Sequence, residues 1–176
     1  GPLKMLKMLR AFRIFRLFKR VKSLNKIILS LLKSVPGVFN AFVIMLIFMC
    51  IYAILAVDSF RAFGAEGSYM TNEYSSLSSD ATVVWRNVTS ITQRGMTFGQ
   101  EYYGSFSLAL YTLFQVLTGE SWSEAVARPL LFGLHETANP MLIGVFFVSF
   151  IILHQIVLVN VVVAVLLDKI VEEDGS

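Results

Sequence analysis

The sequence predicts an all-α membrane protein with two transmembrane helices and a re-entrant loop of two short helices. Of its 176 residues, 56% are hydrophobic, whereas soluble domains are usually about 45–50% apolar. The excess lies in residues 39–60 and 141–170, two runs long enough to cross a bilayer as helices. A third apolar segment, residues 106–117, would be only about 18 Å long as a helix, which is too short to span.

Basic residues recur at every third position near the N-terminus: Lys4, Lys7, Arg10, Arg13, Arg16 and Lys19. On an α-helix this step produces a stripe of charge that winds slowly around the axis. An amphipathic membrane-surface helix or a calmodulin-like target would usually mix steps of three and four. The unbroken repeat resembles the fourth helix (S4) of voltage sensors, where each charge moved across the field is worth about 2.3 kcal/mol per 100 mV. We interpret residues 1–20 as the C-terminal part of such a helix.

Residues 21–36 predict a second amphipathic helix, whose lysines indicate the cytoplasmic interface. Pro36-Gly37 is expected to break this helix before the first span, residues 37–60. A surface helix joined by a breaker to a span is typical of a lever, here the S4–S5 linker ahead of S5. The alternative is a simple membrane-surface anchor.

Residues 61–103 are polar and aromatic and predict an extracellular turret, with a short strand expected at residues 82–85. Asn87-Val88-Thr89 is an N-glycosylation sequon, so Asn87 is a candidate glycan site. It follows the first span, on the side opposite the lysines, which fits an extracellular position.

The polar stretch from Thr118 to Trp122 contains one carboxylate, Glu120, between apolar segments. An acid in such surroundings is costly unless water or a cation meets it. Ser121 or Ser123 is expected to cap a second short helix, with Glu124 in its first turn. A helix, a polar turn and a second helix within residues 104–133 would have to line a water-filled cavity. Alternatively, Glu120 is a helix-terminus acid that faces the outer water.

A polar turn at residues 135–140 precedes the second span, residues 141–170 (S6), and residues 171–176 begin a cytoplasmic tail. The segments 111–130 (YTLFQVLTGESWSEAVARPL) and 159–168 (VNVVVAVLLD) resemble the pore loop and the S6 ending of bacterial-type single-domain voltage-gated sodium channels. The long turret and the sequon look more like a single-domain homologue from a unicellular eukaryote. No S1–S3 helices precede the basic repeat, so the chain is expected to be a fragment of such a channel.

The resemblance implies a homotetramer in the lipid of the plasma membrane, with four Glu120 carboxylates in a ring that binds permeant Na⁺. The backbone carbonyls of Thr118 and Gly119 would form the inner filter. The indole of Trp122 would bond the Thr118 hydroxyl of the next subunit, and Ser121 completes the filter segment. The expected partners exclude nucleic acid, and no cofactor is expected beyond the permeant ion.

Two positions depart from the family pattern. Gly119 stands where the bacterial channels have Leu, and Glu124 stands where several sodium-selective members have an uncharged residue. In the family, extra outer acids accompany calcium permeability, so a Na⁺/Ca²⁺ or Ca²⁺-permeable channel is the alternative. Further along, Val162 and Leu166 are expected to close the intracellular gate.

An enzyme or transporter is a competing class, and a non-conducting membrane assembly module is another. His135, His154 and Cys50 lack close partners in the sequence, and no nucleophile–base pair or metal-ligand spacing is visible. Internal inverted repeats are also absent. The sequence therefore indicates a protein that is not an enzyme.

Overall fold

The structure is a computed structural model that describes residues 1–74, 83–133 and 139–174, most of which are helical. In chain order its elements are α1 (Pro2–Met8), a 3₁₀ helix (Leu9–Ile14), α2 (Phe15–Arg20), α3 (Lys22–Phe60), β1 (Ser68–Tyr74), β2 (Val83–Thr89), α4 (Phe98–Tyr103), α5 (Phe106–Thr118), a π-helix (Trp122–Ala127), α6 (Arg128–Phe132) and α7 (Pro140–Asp174). Residues 135–138 of the expected polar turn, residue 82 of the expected strand and residues 175–176 of the tail lie outside the described part. The chain divides into two compact units, one of Val43–Asn160 and one of Gly1–Phe42 with Val161–Ser176.

The N-terminal basic repeat is helical, but its middle is wound more tightly than an α-helix. Arg10 and Arg13 lie in the 3₁₀ helix, where side chains three positions apart eclipse one another. The rings of Phe12, Phe15 and Phe18 meet at the same step: the first two stack with centroids 5.5 Å apart, and the last two are tilted with centroids 5.4 Å apart. In this segment the charges therefore run straight along the axis, whereas an α-helix would wind them around it.

The expected helix break at Pro36-Gly37 is wrong, because α3 continues without interruption from Lys22 to Phe60. Proline removes one backbone hydrogen bond and crowds the preceding turn, at a cost of about 3 kcal/mol. The 39-residue helix absorbs this local cost, with a strong helix former, leucine, at four positions before Pro36: Leu24, Leu29, Leu31 and Leu32. Near the proline, the Ser34 hydroxyl donates to the Ser30 carbonyl at 3.0 Å. Where the surface helix ends and the span begins within α3 stays a prediction.

Within the described residues, two helices are long and apolar enough to cross a membrane, Lys22–Phe60 and Pro140–Asp168. The second belongs to α7, which agrees with the helix expected over residues 141–170. Pro140 occupies the first helical position, where its missing N–H costs nothing. The Asn139 side chain accepts a hydrogen bond from the Met141 N–H at 3.0 Å and so caps the helix.

Aromatic side chains form much of the core of the unit Val43–Asn160. The Phe60 ring packs edge-on against Tyr103 and stacks on Phe147, with centroids 5.2 and 6.2 Å away. Tyr52 of α3 joins α7 through a 2.8 Å hydrogen bond between its hydroxyl and that of Ser149. These contacts hold the outer part of α3 against the first half of α7.

A two-stranded antiparallel sheet lies between α3 and α4, with β1 and β2 in register from Ser68↔Thr89 to Tyr74↔Val83. The sequence predicted one short strand here; β2 is longer than expected, and β1 was missed. Beyond the hairpin, α4 meets the end of α3 so closely that a side chain on Gly99 would lie 2.5 Å from the Arg61 carbonyl oxygen. The described residues between α3 and α5 therefore fold against the end of α3.

Candidate functional site

The site begins with α5, which buries one face and ends in the polar stretch. Its buried residues, at helical spacing, are Ala109, Thr112, Leu113 and Val116. The Ser105 hydroxyl caps the helix by accepting a hydrogen bond from the Leu108 N–H at 3.3 Å. The Thr112 hydroxyl donates to the Tyr102 carbonyl at 2.8 Å, which fixes α5 to the end of α4. The expected helix over residues 106–117 is thereby confirmed.

Gly119 ends α5 in a left-handed conformation, with φ 77° and ψ 7°. Its N–H donates to the Val116 carbonyl at 3.2 Å, as in a glycine C-cap. No atom lies within 4 Å of where a side chain would start, so the backbone angle, not crowding, favours glycine. Glycine, which stands here where the bacterial pattern has leucine, suits this backbone angle.

Glu120 is exposed and held by two neighbours. The Gln115 side-chain amide donates to both the carboxylate Oε2 and the backbone carbonyl of Glu120, at 3.1 Å each. The Ser121 hydroxyl donates to the other carboxylate oxygen, Oε1, at 2.9 Å. Both carboxylate oxygens therefore have donors while the group stays open to solvent. Gln115 was not predicted as a site residue, although an amide in an apolar helix five positions before the acid is a usable signal.

Ser121 does not cap the second helix through its side chain, as the sequence predicted it could. Its hydroxyl is bonded to Glu120, and the described residues show no cap hydrogen bond from either Ser121 or Ser123. Its backbone is left-handed, at φ 46°, which is a strained conformation for a residue with a side chain. The chain then winds as a π-helix, a form often found at functional sites. The second short helix is present, but its geometry differs from the expected capped α-helix.

Glu124 lies in the first turn of this second helix, as expected, and forms an ion pair with Arg128. The carboxylate Oε1 and the guanidinium Nε are 2.7 Å apart. The guanidinium carbon of Arg128 is also 5.9 Å from the centre of the Phe132 ring. Arg128 was missed in the sequence, although its spacing of four residues from an acid on a helix was a usable signal.

The structure gathers the candidate filter residues on one helix–turn–helix segment: Thr118, Gly119, Glu120, Ser121, Trp122 and Glu124. The Thr118 hydroxyl donates to the Gln115 carbonyl at 2.8 Å, which leaves its oxygen able to accept. The Trp122 ring packs near Phe147, with centroids 6.3 Å apart. The expected bond between Trp122 and the next subunit stays a prediction.

The other candidate residues lie elsewhere in the chain. The basic residues of the N-terminal repeat are all exposed, and Asn87 is exposed on β2. Val162 and Leu166 are exposed one turn apart on α7. Among the described residues, no group of three or more His, Cys, Asp or Glu side chains could hold a metal ion. The roles expected for these residues stay predictions.

A second ion pair, between Arg94 and the buried Glu101, was not predicted. The Arg94 Nε donates to Glu101 Oε1 at 2.8 Å, and its Nη2 contacts the same oxygen. Burial alone would raise the pKa of Glu101, but the hydrogen bond and the positive charge of Arg94 act against burial, and the pKa lies below its usual value. This pair ties the turn after β2 to α4 and, through α4, to the pore helix.

Tyr102 links this region electrostatically to the polar stretch. Burial raises the pKa of the Tyr102 hydroxyl, and the charges of Glu101 and Glu120 act in the same direction. Glu120, Glu124 and Glu101 all belong to one folded unit, so the site is a polar surface supported by α4 and α5.

Known proteins agree with this architecture. A family model described as ion transport protein matches residues 1–175. Voltage-dependent T-type calcium channel subunit alpha-1G of Rattus norvegicus is 36% identical over 74 residues, which are 41% of this chain and 3% of the relative. Subunit alpha-1H of Mus musculus is 40% identical over 70 residues, which are 37% of this chain and 3% of the relative.

Solved structures share the fold. The crystal structure of NavRh, a voltage-gated sodium channel, matches with a TM-score of 0.64 and 27% identity over 96% of this chain and 63% of that one. A NaChBac-Nav1.7VSDII chimera in nanodisc matches with a TM-score of 0.66 and 25% identity over 96% of this chain and 56% of that one. The expectation of a channel rather than an enzyme agrees with the family. The chain belongs to the ion transport protein family and has the pore-forming fold of voltage-gated cation channels.

Proposed function

We propose that this chain is the pore-forming subunit of a homotetrameric voltage-gated cation channel whose four Glu120 carboxylates select cations. The observation that carries the proposal is the position of Glu120. It is exposed at the turn between two short helices, and Gln115 and Ser121 hold both of its carboxylate oxygens. The chain spans 3% of the calcium channel subunits and 56–63% of the sodium channel structures described above, so the activity of the whole protein is part of the proposal.

The filter would work by charge and partial dehydration. A ring of four carboxylates attracts cations and repels anions, and its oxygens replace part of the hydration shell of the ion. After the carboxylate ring, the backbone carbonyl oxygens of Thr118 and Gly119 would bind the permeant ion more weakly. The C-terminal end of α5 adds a partial negative charge at the same place. The hydrogen bonds on Glu120 hold its carboxylate in place, so the ring needs little rearrangement when an ion arrives.

In the proposed gating mechanism, movement of the basic repeat is coupled to the gate on α7. Movement of the positive stripe in the membrane field would shift α3, whose unbroken path across Pro36 makes it a stiffer connection than a broken linker. Val162 and Leu166 present apolar side chains one turn apart and would close the path as an apolar constriction. Residues 1–20 thus act as part of the sensor, and the end of α7 acts as the gate.

Sodium is the ion we propose first, because the filter segment resembles that of sodium channels. Calcium permeation is the second candidate, favoured by the similarity to two calcium channel subunits and by the presence of Glu124. The proposed location is the plasma membrane. Its outer face would then carry the turret, with a glycan on the exposed Asn87.

The proposal is tested with Glu120→Gln in the full chain, expressed in cells and studied by whole-cell recording. Loss of the carboxylate ring should lower the cation current at least tenfold or abolish its selectivity over anions. Glu66→Gln is the matched control, because Glu66 is an exposed acid outside the candidate site, and it should leave the current unchanged. Wild-type current and selectivity in Glu120→Gln, with normal surface expression, would contradict the proposed role of Glu120 in cation selection.

A further inference from the structure

The pore loop carries few charges, and their signs decide its field. Within residues 104–133 the charged residues are Glu120, Glu124 and Arg128. Two carboxylates and one guanidinium give this segment a net charge of −1. If Glu124 were free, the segment would present two negative groups to an approaching ion. The structure shows that it is not free.

Glu124 and Arg128 lie one helical turn apart, with the acid on the N-terminal side, which is the more favourable order for an ion pair. Their contact is 2.7 Å and involves the guanidinium Nε. The Phe132 ring contacts the same guanidinium from the next turn, with the guanidinium carbon 5.9 Å from the ring centre. Arg128 is therefore restrained on two sides, in an orientation that keeps its charge beside Glu124.

The pair also adjoins a cavity of about 450 Å³ beneath the hairpin. Its wall includes Tyr69 and Arg86 from the hairpin together with Glu124, Arg128 and Phe132. The side chains of Glu124 and Arg128 are 73% and 53% exposed, and exposed pairs add little to stability. Their effect on the surrounding field is separate from stability, because a paired carboxylate presents a dipole where a free one presents a charge.

We propose that Arg128 is a specificity-determining residue that neutralises Glu124 and so biases the outer mouth toward monovalent cations. This inference rests on the proposed function of Glu120 as the filter acid. A divalent cation gains twice as much electrostatic energy from each carboxylate as a monovalent one does. Cancelling the charge of Glu124 therefore weakens Ca²⁺ binding more than Na⁺ binding. Glu124, at a position where several sodium-selective members have an uncharged residue, is thus paired with the positive charge of Arg128 in this chain.

The test is Arg128→Gln in the full chain, with two readouts in cells. One is the reversal potential with Na⁺ inside and Ca²⁺ outside, and the other is the Ca²⁺ concentration that halves the Na⁺ current. Freeing Glu124 should shift the reversal potential to more positive values and lower the half-blocking concentration about threefold or more. Arg61→Gln removes an exposed arginine outside the pore loop and should change neither readout.

The double variant Glu124→Gln/Arg128→Gln has the same net charge in the pore loop as the wild type. It should restore the wild-type reversal potential and half-blocking concentration. Unchanged readouts in Arg128→Gln at normal surface expression would overturn the proposal, and so would a double variant indistinguishable from Arg128→Gln.

If Arg128→Gln does not reach the cell surface, Glu124→Gln is compared with the same double variant. Glu124→Gln leaves Arg128 without its acid and should raise the half-blocking concentration, and the double variant should reverse that change. A double variant identical to Glu124→Gln would overturn the proposal. The Glu120→Gln variant distinguishes the two proposals. If Glu120→Gln greatly reduced the current while Arg128→Gln had no effect, the proposed filter role of Glu120 would stand and only the role of Arg128 would be rejected.

Discussion

The side-chain amide of Gln115 lies 3.1 Å from both the carboxylate Oε2 and the backbone oxygen of Glu120. One amide thus fixes the side chain and the main chain of the filter acid together. Because the donor sits on α5, the position of Glu120 is coupled to that of the pore helix. Gln115 is therefore a positioning residue for the proposed cation ring.

Replacing Gln115 with leucine should loosen Glu120 without changing the charge of the filter. We expect the unitary Na⁺ conductance to fall severalfold, because the carboxylate loses a hydrogen bond worth about 1.5–3 kcal/mol at a charged group. Single-channel recording measures this, and reversal potentials show whether selectivity falls with it. Gln93→Leu, at an exposed position outside the filter segment, is the control. Wild-type conductance and selectivity in Gln115→Leu would rule out the positioning role.

Gly119→Ala should destabilise the protein by about 1–2 kcal/mol, because the native φ of 77° is unfavourable for a residue with a side chain. Gly119→Asn should be milder, since Asn tolerates the left-handed region better. Thermal unfolding of detergent-purified protein measures the effect.

Gly95→Ala is a matched control for this change. Gly95 has φ 76°, also has open space around it, and lies outside the filter segment. Both alanine variants should lose similar stability, but only Gly119→Ala should change conductance. Equal conductance in the two would show that the Gly119 turn has no part in permeation.

The Arg94–Glu101 pair predicts how stability depends on pH. The folded state lowers the pKa of Glu101, so the ionised carboxylate adds stability above its unfolded pKa of about 4.3. That contribution is lost as the pH falls through the lowered pKa. Arg94→Gln leaves burial as the main influence and should therefore raise the pKa of Glu101. We expect a lower unfolding temperature at pH 7 and an onset of acid destabilisation at higher pH.

Melting temperatures of the wild type and of Arg94→Gln, measured from pH 3 to pH 8, would check this expectation. Arg61→Gln again serves as the control, since Arg61 lies outside this ion pair, and it should keep the wild-type pH profile. Identical profiles for Arg94→Gln and the wild type would contradict the role of the pair.

Neutralising Arg13 should make channel opening less steep in voltage. Each charge that crosses the whole field contributes about 2.3 kcal/mol per 100 mV, so the slope of the conductance–voltage curve should fall measurably in Arg13→Gln. Arg20→Gln is the matched control, because Arg20 lies outside the step-of-three repeat. If both variants had the same slope as the wild type, Arg13 would carry no gating charge.

Much of the fold followed from patterns local in the chain. The long apolar runs, the short apolar helix before Glu120 and the start of the second helix near Glu124 all reflect helix-length hydrophobic periodicity, which neighbouring residues determine. The predicted break at Pro36 is wrong because the stability of a helix depends on all of its residues, so a single proline need not end it. Strand β1 was missed because its polar residues lack a clear alternating pattern, and a hairpin is stabilised by its partner strand and by packing.

The sequence by itself determined that this is a helical membrane protein of channel type with one acid, Glu120, at the centre of a polar turn. Length, hydrophobicity and motif are properties of a single stretch of chain, so they can be read without coordinates. Only the tertiary structure decided which groups meet that turn. Gln115 bonds the acid, Gly119 and Ser121 take left-handed angles around it, and Arg128 pairs with Glu124. Such contacts depend on how the backbone bends between residues, and composition and periodicity do not encode that geometry.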